Sequence, residues 1–426
     1  MTSAHSPLGP ARTAVEVTLV ALPLLVVMLG LGALPDWRSS RGVLQCGAWL
    51  AFALLAVALV RSRLWRLRGE LACVLLVAAV LRAGVVARAP ELSDDLWRYL
   101  WDGRVLAAGK NPYAFAPADS AVAALHDAAW MARINHPALR TIYPPVAEAG
   151  FALVHAVRPD VLGMKLWITL HDLLLCFVLA RWARSRTGSV WPAIAYAWNP
   201  LVVIEYAGSG HLEPVALLPL ALAFAWAERR PRASALLLVV ATLTKLLPVL
   251  ALPLLWRRWT RAARALALAL CGAGLAGFAL LARGPHSGLE AFARTWRNND
   301  ALFGPLAAVA GDGGARLVAA ALTGAVLLWG WRRTGDVVPG AKAVFATALL
   351  GGPVVHPWYL GWMLVWEGVA PAAPVLLLSA LALLNYGVLA PPAEGGAHHP
   401  SAVVRAFEYG APAALALVLA LRRRPT

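Results

Sequence analysis

Charge is scarce in this 426-residue chain: 14% of its residues are Asp, Glu, Lys or Arg, against 60% hydrophobic. A soluble domain of this size cannot keep so apolar a surface in water, whereas runs of ~20 apolar residues each suffice to cross a bilayer. Cysteine is scarce too. Cys46, Cys73, Cys176 and Cys271 fall inside apolar segments without CxxC spacing. That pattern excludes a disulfide or thiolate-metal framework and reads as small buried hydrophobes. GxxxxGK[ST] does not occur, and the lone GxGxxG match, Gly272–Gly277, lies inside an apolar run, so nothing cradles a nucleotide phosphate. Tight ligand spacing such as HxxxH is missing as well. The apolar stretches run continuously instead of alternating over ~10 residues, which excludes a transmembrane β-barrel. There is no internal repeat and no low-complexity segment.

What is present is a series of apolar runs, and the reading is an all-α polytopic membrane protein of about 11–13 spans. Helices are expected at about 14–33, 43–60, 71–86, 161–180, 190–206, 214–227, 262–282, 315–331, 337–355, 357–369, 372–390 and 403–421. The first run follows a short polar N-terminus without a small-residue cleavage site, so it reads as a retained helix. Two stretches resist a simple reading. Tyr143–Val157 is short for a crossing. Ala233–Trp256 has Lys245 and Pro248 at its middle, predicting a broken or re-entrant hairpin of the kind tolerated where it lines a polar cavity.

The net charge of +16 comes mainly from arginines gathered in short connections. These are Arg61/Arg63/Arg66/Arg68, Arg181/Arg184/Arg186, Arg229/Arg230/Arg232, Arg257/Arg258/Arg261/Arg264, Arg332/Arg333 and Arg422/Arg423/Arg424. Such clusters mark cytoplasmic loops and do not point to nucleic acid. Residues 89–140 differ, with six acidic residues against five Lys or Arg. The 89–142 segment is therefore expected to be external, and the 283–314 loop is expected to be a second external connection. A connection as long as 89–142 is usually functional. Leu96, Leu100 and Val105 with Trp97 and Trp101 predict short helices on the membrane surface.

The most informative stretch is Ser93-Asp94-Asp95-Leu96-Trp97-Arg98-Tyr99-Leu100-Trp101-Asp102-Gly103. Ser93 capping a helix with two aspartates in its first turn explains part of it. It does not explain Arg98, Tyr99 and Trp101 with Asn111-Pro112-Tyr113 close behind. A carboxylate presented to a substrate hydroxyl as general base does. Lys245, one of four lysines, lies in an apolar run where a cation costs ~2.5–3.5 kcal/mol. Either it snorkels to a helix end or it is the counter-ion of a phosphate. Polar residues recur at other helix ends: Asn199-Pro200, Glu205, Gly208-Ser209-Gly210-His211-Leu212-Glu213 and His356-Pro357-Trp358-Tyr359. Asp95, His211 and Glu213 could in principle share a metal, but their spacing does not favour it, and neither a metal nor a cofactor is expected.

These stretches, together with Thr141-Ile142-Tyr143-Pro144-Pro145 and Thr244–Pro248, resemble the bacterial GT-C membrane glycosyltransferases that use polyprenyl-phosphate sugars. The likeness is to the mannosyltransferase and glycosyltransferase-87 relatives, from about residue 90 to 360. It implies a GT-C-like bundle forming a single transmembrane domain over 1–426, with 89–142 as its external catalytic loop. It implies transfer of a hexose, mannose by preference, from a polyprenyl phosphate to an external glycan or glycolipid acceptor with inversion. The implied base is Asp95, whose D-x-x-x-Y spacing to Tyr99 matches the family, with Asp94 second. Lys245, His356 and Arg98 would hold the donor phosphate. Tyr99, Trp101, Asp102, Asn111, Tyr113, Tyr143, Asn199, His211, Glu213, Trp358 and Tyr359 would contact substrate. One departure is that two helices precede the span leading into the acidic loop, where simpler relatives have one. The implied partners are the lipid-linked donor, the acceptor and membrane lipid. A transporter or flippase for a lipid-linked sugar is the alternative, and an envelope-assembly subunit a third.

Overall fold

The computed structural model describes residues 9–389 and 400–422, and among them helices account for the regular structure. Arg423 and Arg424 of the last arginine cluster, and the end of the run expected to reach 390, lie outside the described residues. Among the described residues, six helices are long and apolar enough to cross a membrane, and a further set of shorter apolar helices accompanies them. The outer surface agrees with a lipid setting. On the first helix, α1 (Pro10–Gly32), Val15, Leu19, Leu22 and Val26 are exposed while Val20, Leu24 and Met28 are buried. Exposed apolar side chains in such numbers need an apolar solvent. The chain is a multi-pass membrane protein.

Two compact units form, one from residues 1–88, 173–208 and 355–426, the other from 89–172 and 209–354. In the first, α1 packs on α2 (Arg41–Arg61) and α3 (Glu70–Val86). The expected 190–206 span is instead a chain of short pieces: a 3₁₀ turn at Trp191–Ala193, helical turns at Ile194–Ala197 and Pro200–Val202, and a π-helical turn at Val203–Gly208. Asn199-Pro200 causes the break. The proline supplies no N–H, and the Asn199 side chain accepts from Leu201 N at 3.0 Å to cap the next turn. Freed carbonyls need donors in a membrane. Buried Arg82 of α3 donates to Ala197 O at 2.7 Å.

The second unit begins with the expected surface helix, α4 (Asp95–Ala107), packed on α5 (Pro145–Val157), which resolves the unclear 143–157 stretch as a short helix. Gly103 makes the approach possible, since a Cβ there would lie 2.5 Å from Phe151 O. The helix α6 (Val161–Thr187) follows, its residues up to Asp172 belonging to this unit. Then α7 (Glu213–Ala225) and α8 (Pro231–Thr244) form an antiparallel hairpin. α8 stops at Lys245, whose backbone is extended at φ −146° and ψ 142°, and the chain resumes as a 3₁₀ turn at Leu247–Leu250. The predicted break is present. The 283–314 connection is shorter than expected, because Gly288–Thr295 is helical and the long helix Phe303–Arg332 starts well before 315, kinked at Gly311. Of the cysteines expected to be small buried hydrophobes, Cys176 and Cys271 are buried, Cys73 is half-buried and Cys46 is exposed on its helix.

Candidate active site

Asp95 opens α4, and its amide donates to Ser93 Oγ at 3.2 Å, so the serine fixes the turn that presents the carboxylate. The Asp95 side chain is half-buried and accepts from Asn135 Nδ2 at 3.2 Å. Asp94 beside it is also half-buried. One turn on, Tyr99 is buried, stacked on Phe151 at 4.8 Å between ring centroids and edge-on to Tyr143 at 5.1 Å. Burial, reinforced by Tyr143, Asp95 and Glu213, pushes the Tyr99 phenol well above its ordinary value. The phenol therefore stays neutral, and the carboxylates of Asp95 and Glu213 act on the same group.

The loop entering α7 comes to this place through a glycine. Gly210 has φ +83°, and a Cβ on it would meet Leu96 Cδ1 at 2.4 Å and Lys165 Cγ at 3.2 Å. The loop thus lies directly on the first turn of α4. It carries buried His211 and ends at Glu213, which is fully buried in the first turn of α7. Glu213 Oε1 takes an ion pair from Lys245, while Glu213 Oε2 is buried with no hydrogen-bond partner. The lysine expected to meet a phosphate alone thus arrives with a carboxylate partner, and its side chain is only 17% exposed. Asp95, Tyr99, His211, Glu213 and Lys245 all belong to this unit.

Arg98 and Asp102 are placed differently. Both are buried, and Arg98 Nε lies 2.9 Å from each Asp102 carboxylate oxygen. Arg98 also donates to Leu139 O at 2.8 Å, tying α4 to the end of the loop. Burial outweighs the guanidinium and raises Asp102 above the ordinary aspartate value. Trp101 packs with Val105, Val122 and Ile134 as the core of the 89–142 segment. Asn111 Oδ1 accepts from Tyr113 N at 2.9 Å, an Asx turn, and Tyr113 donates to Tyr143 O at 2.7 Å. Arg98, Trp101, Asp102, Asn111 and Tyr113 therefore hold the loop in shape around the Asp95 turn.

In the first unit, His356 stacks on Trp358 at 4.2 Å with planes 5° apart, and Tyr359 meets both edge-on. Tyr206 donates to Trp358 O at 3.1 Å, and Tyr386 donates to buried Glu205 at 2.7 Å. Asn199, besides capping its own turn, donates to Ser379 Oγ at 3.2 Å.

Sequence reasoning passed over Asn135, Lys165 and Glu148. A fully buried lysine in an apolar span, as Lys165 is, carries the same cost signal that singled out Lys245. Glu148 accepts from Thr141 Oγ1 at 2.6 Å, and a carboxylate in an apolar helix could have been noticed likewise. Asn135 lies in an irregular stretch and gives no such signal.

The family comparison decides what this arrangement belongs to. The model of glycosyltransferase family 87 matches residues 141–392, more than half of the chain. The chain belongs to glycosyltransferase family 87. The model of the α-(1→6)-mannopyranosyltransferase N-terminal domain matches residues 13–261, again more than half. Both matches include Glu213 and Lys245, and the second also includes Asp95 and Tyr99. This family 87 chain is a membrane mannosyltransferase. No curated protein and no solved structure gives a significant match.

Proposed function

We propose that this enzyme transfers mannose from a polyprenyl-phosphate donor to an external glycan or glycolipid acceptor, with inversion at the anomeric carbon. The observation that carries the reading is the contrast between the two carboxylates of α4. Asp102 is sealed in and matched by Arg98, whereas Asp95 is half-buried and held by a neutral amide, on the turn against which the loop leading to Glu213 packs. A base must reach its proton, and only the second setting allows that.

In this mechanism the acceptor hydroxyl oxygen attacks C1 of the mannosyl group from the face opposite the phosphate. Its proton passes to the Asp95 carboxylate. The C1–O bond to phosphate breaks, and its electron pair leaves with the polyprenyl phosphate. That leaving group needs no general acid, only cations that stabilise the developing charge. Lys245 suits this role with Glu213 holding the ammonium in place. His356 is a second candidate. Arg98 gives Nε to Asp102 and Nη1 to Leu139 O, and its buried Nη2, which has no hydrogen-bond partner, keeps it a third candidate. The buried Glu213 Oε2, lacking a hydrogen-bond partner, is an acceptor that a sugar hydroxyl would satisfy. Leaving such a group unmet costs ~1–3 kcal/mol. Tyr143 offers an aromatic ring for a sugar.

The external side is supported by arginine clusters in the short connections against the charge-balanced 89–142 segment. An external site has no access to cytoplasmic nucleotide sugars, which favours a lipid-linked donor. Purified enzyme in liposomes, offered synthetic polyprenyl-phosphate mannose or a nucleoside-diphosphate mannose, tests the reading. Transfer from the lipid donor alone, with an inverted anomer in the product, is expected. Transfer from the nucleotide sugar, or a retained anomer, would overturn it.

A further inference from the structure

The first unit contains a cavity of about 1040 Å³ that the reaction does not use. Its walls are mostly apolar, including Phe52 and Ala56 from α2, Leu376 from the helix Ala373–Leu381, and Phe407 from the helix Ala402–Arg422. It is also lined by Arg63 and Arg66, from the connection between α2 and α3, and no carboxylate lines it anywhere. Both arginines are exposed, and Arg66 spends one guanidinium nitrogen on Trp65 O at 2.7 Å.

A further lining residue gives an independent sign of a ligand. Trp191 is 1% exposed, and its indole Nε1 is buried with no hydrogen-bond partner. Buried indole N–H groups usually find an acceptor. Of the polar side chains lining the cavity beside it, the Ser189 hydroxyl accepts from Trp191 N at 3.2 Å and the Thr187 hydroxyl donates to Ala183 O at 2.9 Å, and neither meets the indole N–H. A ligand oxygen would complete the set.

We propose that this cavity is a binding site for an anionic glycerophospholipid, whose acyl chains lie along the apolar walls and whose phosphate meets Arg63 and Arg66. Apolar walls together with two cations and no acid fit an amphipathic anion, and basic pockets between membrane helices are a recognised setting for anionic head groups. The residues considered for the polyprenyl phosphate of the donor do not line this cavity. The proposal stands whether or not Asp95 is the catalytic base.

The full-length protein, washed free of lipid in detergent, is titrated with phosphatidylglycerol or phosphatidylcholine, and bound lipid is read by native mass spectrometry. Phosphatidylglycerol should bind more tightly, and Arg63→Gln/Arg66→Gln should weaken it roughly thirtyfold, at about 1 kcal/mol for each arginine. Arg63→Lys/Arg66→Lys should keep the preference, and Ala56→Trp should block both lipids by filling the cavity while leaving mannosyl transfer intact. If the glutamine variant does not fold, the tryptophan and lysine variants make the test. Equal binding of the two lipids, or unchanged binding after Ala56→Trp, would overturn the proposal. So would displacement of phosphatidylglycerol by polyprenyl phosphate at lower concentration, since the cavity would then belong to the lipid of the reaction.

Discussion

The two units carry their buried polar groups in different ways. The unit containing residues 89–172 and 209–354 holds two ion pairs away from solvent, Arg98 with Asp102 and Lys245 with Glu213. In the other unit, the deep contacts are mainly hydrogen bonds of neutral donors, as in Asn199 to Ser379, Tyr206 to Trp358 O and Tyr386 to Glu205. Its Arg61–Glu16 and Arg184–Glu70 pairs have partly exposed arginines, at 41% and 38%. Ionised groups inside a membrane protein are costly and tend to mark function. The comparison therefore separates a unit with two ion pairs held away from solvent from one in which buried Arg82 and Glu205 bond neutral groups.

The largest stability effect expected from this contrast is at Arg98. Arg98→Ala would leave Asp102 buried without its partner, a loss of ~3–5 kcal/mol. Ser379→Ala in the other unit removes one neutral hydrogen bond and should cost about 1 kcal/mol. Thermal denaturation in detergent compares them. Equal losses would break the distinction.

The Glu213–Lys245 pair sharpens it further. Lys245→Met should raise the apparent KM for the lipid donor roughly ten- to hundredfold, from ~1.5–3 kcal/mol for a charged hydrogen bond. The double variant with Glu213→Gln should fall short of the sum of the single effects, since the residues act as one unit. Additive losses would mean that they work separately. His356→Phe keeps an aromatic ring on Trp358 and should cost less than Lys245→Met. A greater loss would move the phosphate site to the first unit.

The smallest effect is a pH dependence. Burial raises Asp102 above the usual aspartate value, so the folded protein holds that proton more tightly than the unfolded chain does. The contribution of this group to stability should decline as pH rises from the ordinary aspartate range through the raised value. A contribution that grows with pH over the same range would mean that Arg98 outweighs burial.

Much of this was readable in the sequence, and the exceptions have physical reasons. Hydropathy located most of the long helices closely, because a lipid-facing segment must be apolar along its length, but it missed the first turns of Phe303–Arg332. It failed at 190–206, where the interruption sits in a stretch whose composition stays apolar; Asn199-Pro200 was the sign. The break at Lys245 was predicted from Pro248 and the stranded cation. Its pairing with Glu213 was also accessible, since the two lie 32 positions apart at the ends of a hairpin that must meet. Trp101, Asn111 and Tyr113 were expected to touch substrate, but aromatics and turn residues serve a loop core equally well. Only packing shows which. The Asn135 contact to Asp95 depends on the path of an irregular loop, which neither periodicity nor charge encodes.

The central claim is that Asp95 removes the acceptor proton. Asp95→Asn preserves the size of the side chain and can still meet Asn135, so folding and membrane insertion should be maintained. Initial rates of mannosyl transfer from a synthetic polyprenyl-phosphate donor, measured for wild type and variant in the same liposomes, test it. The account predicts a loss of ~10²–10⁴ in turnover with a melting temperature close to wild type. Near-normal turnover by a well-folded variant would contradict it and move the base to Asp94.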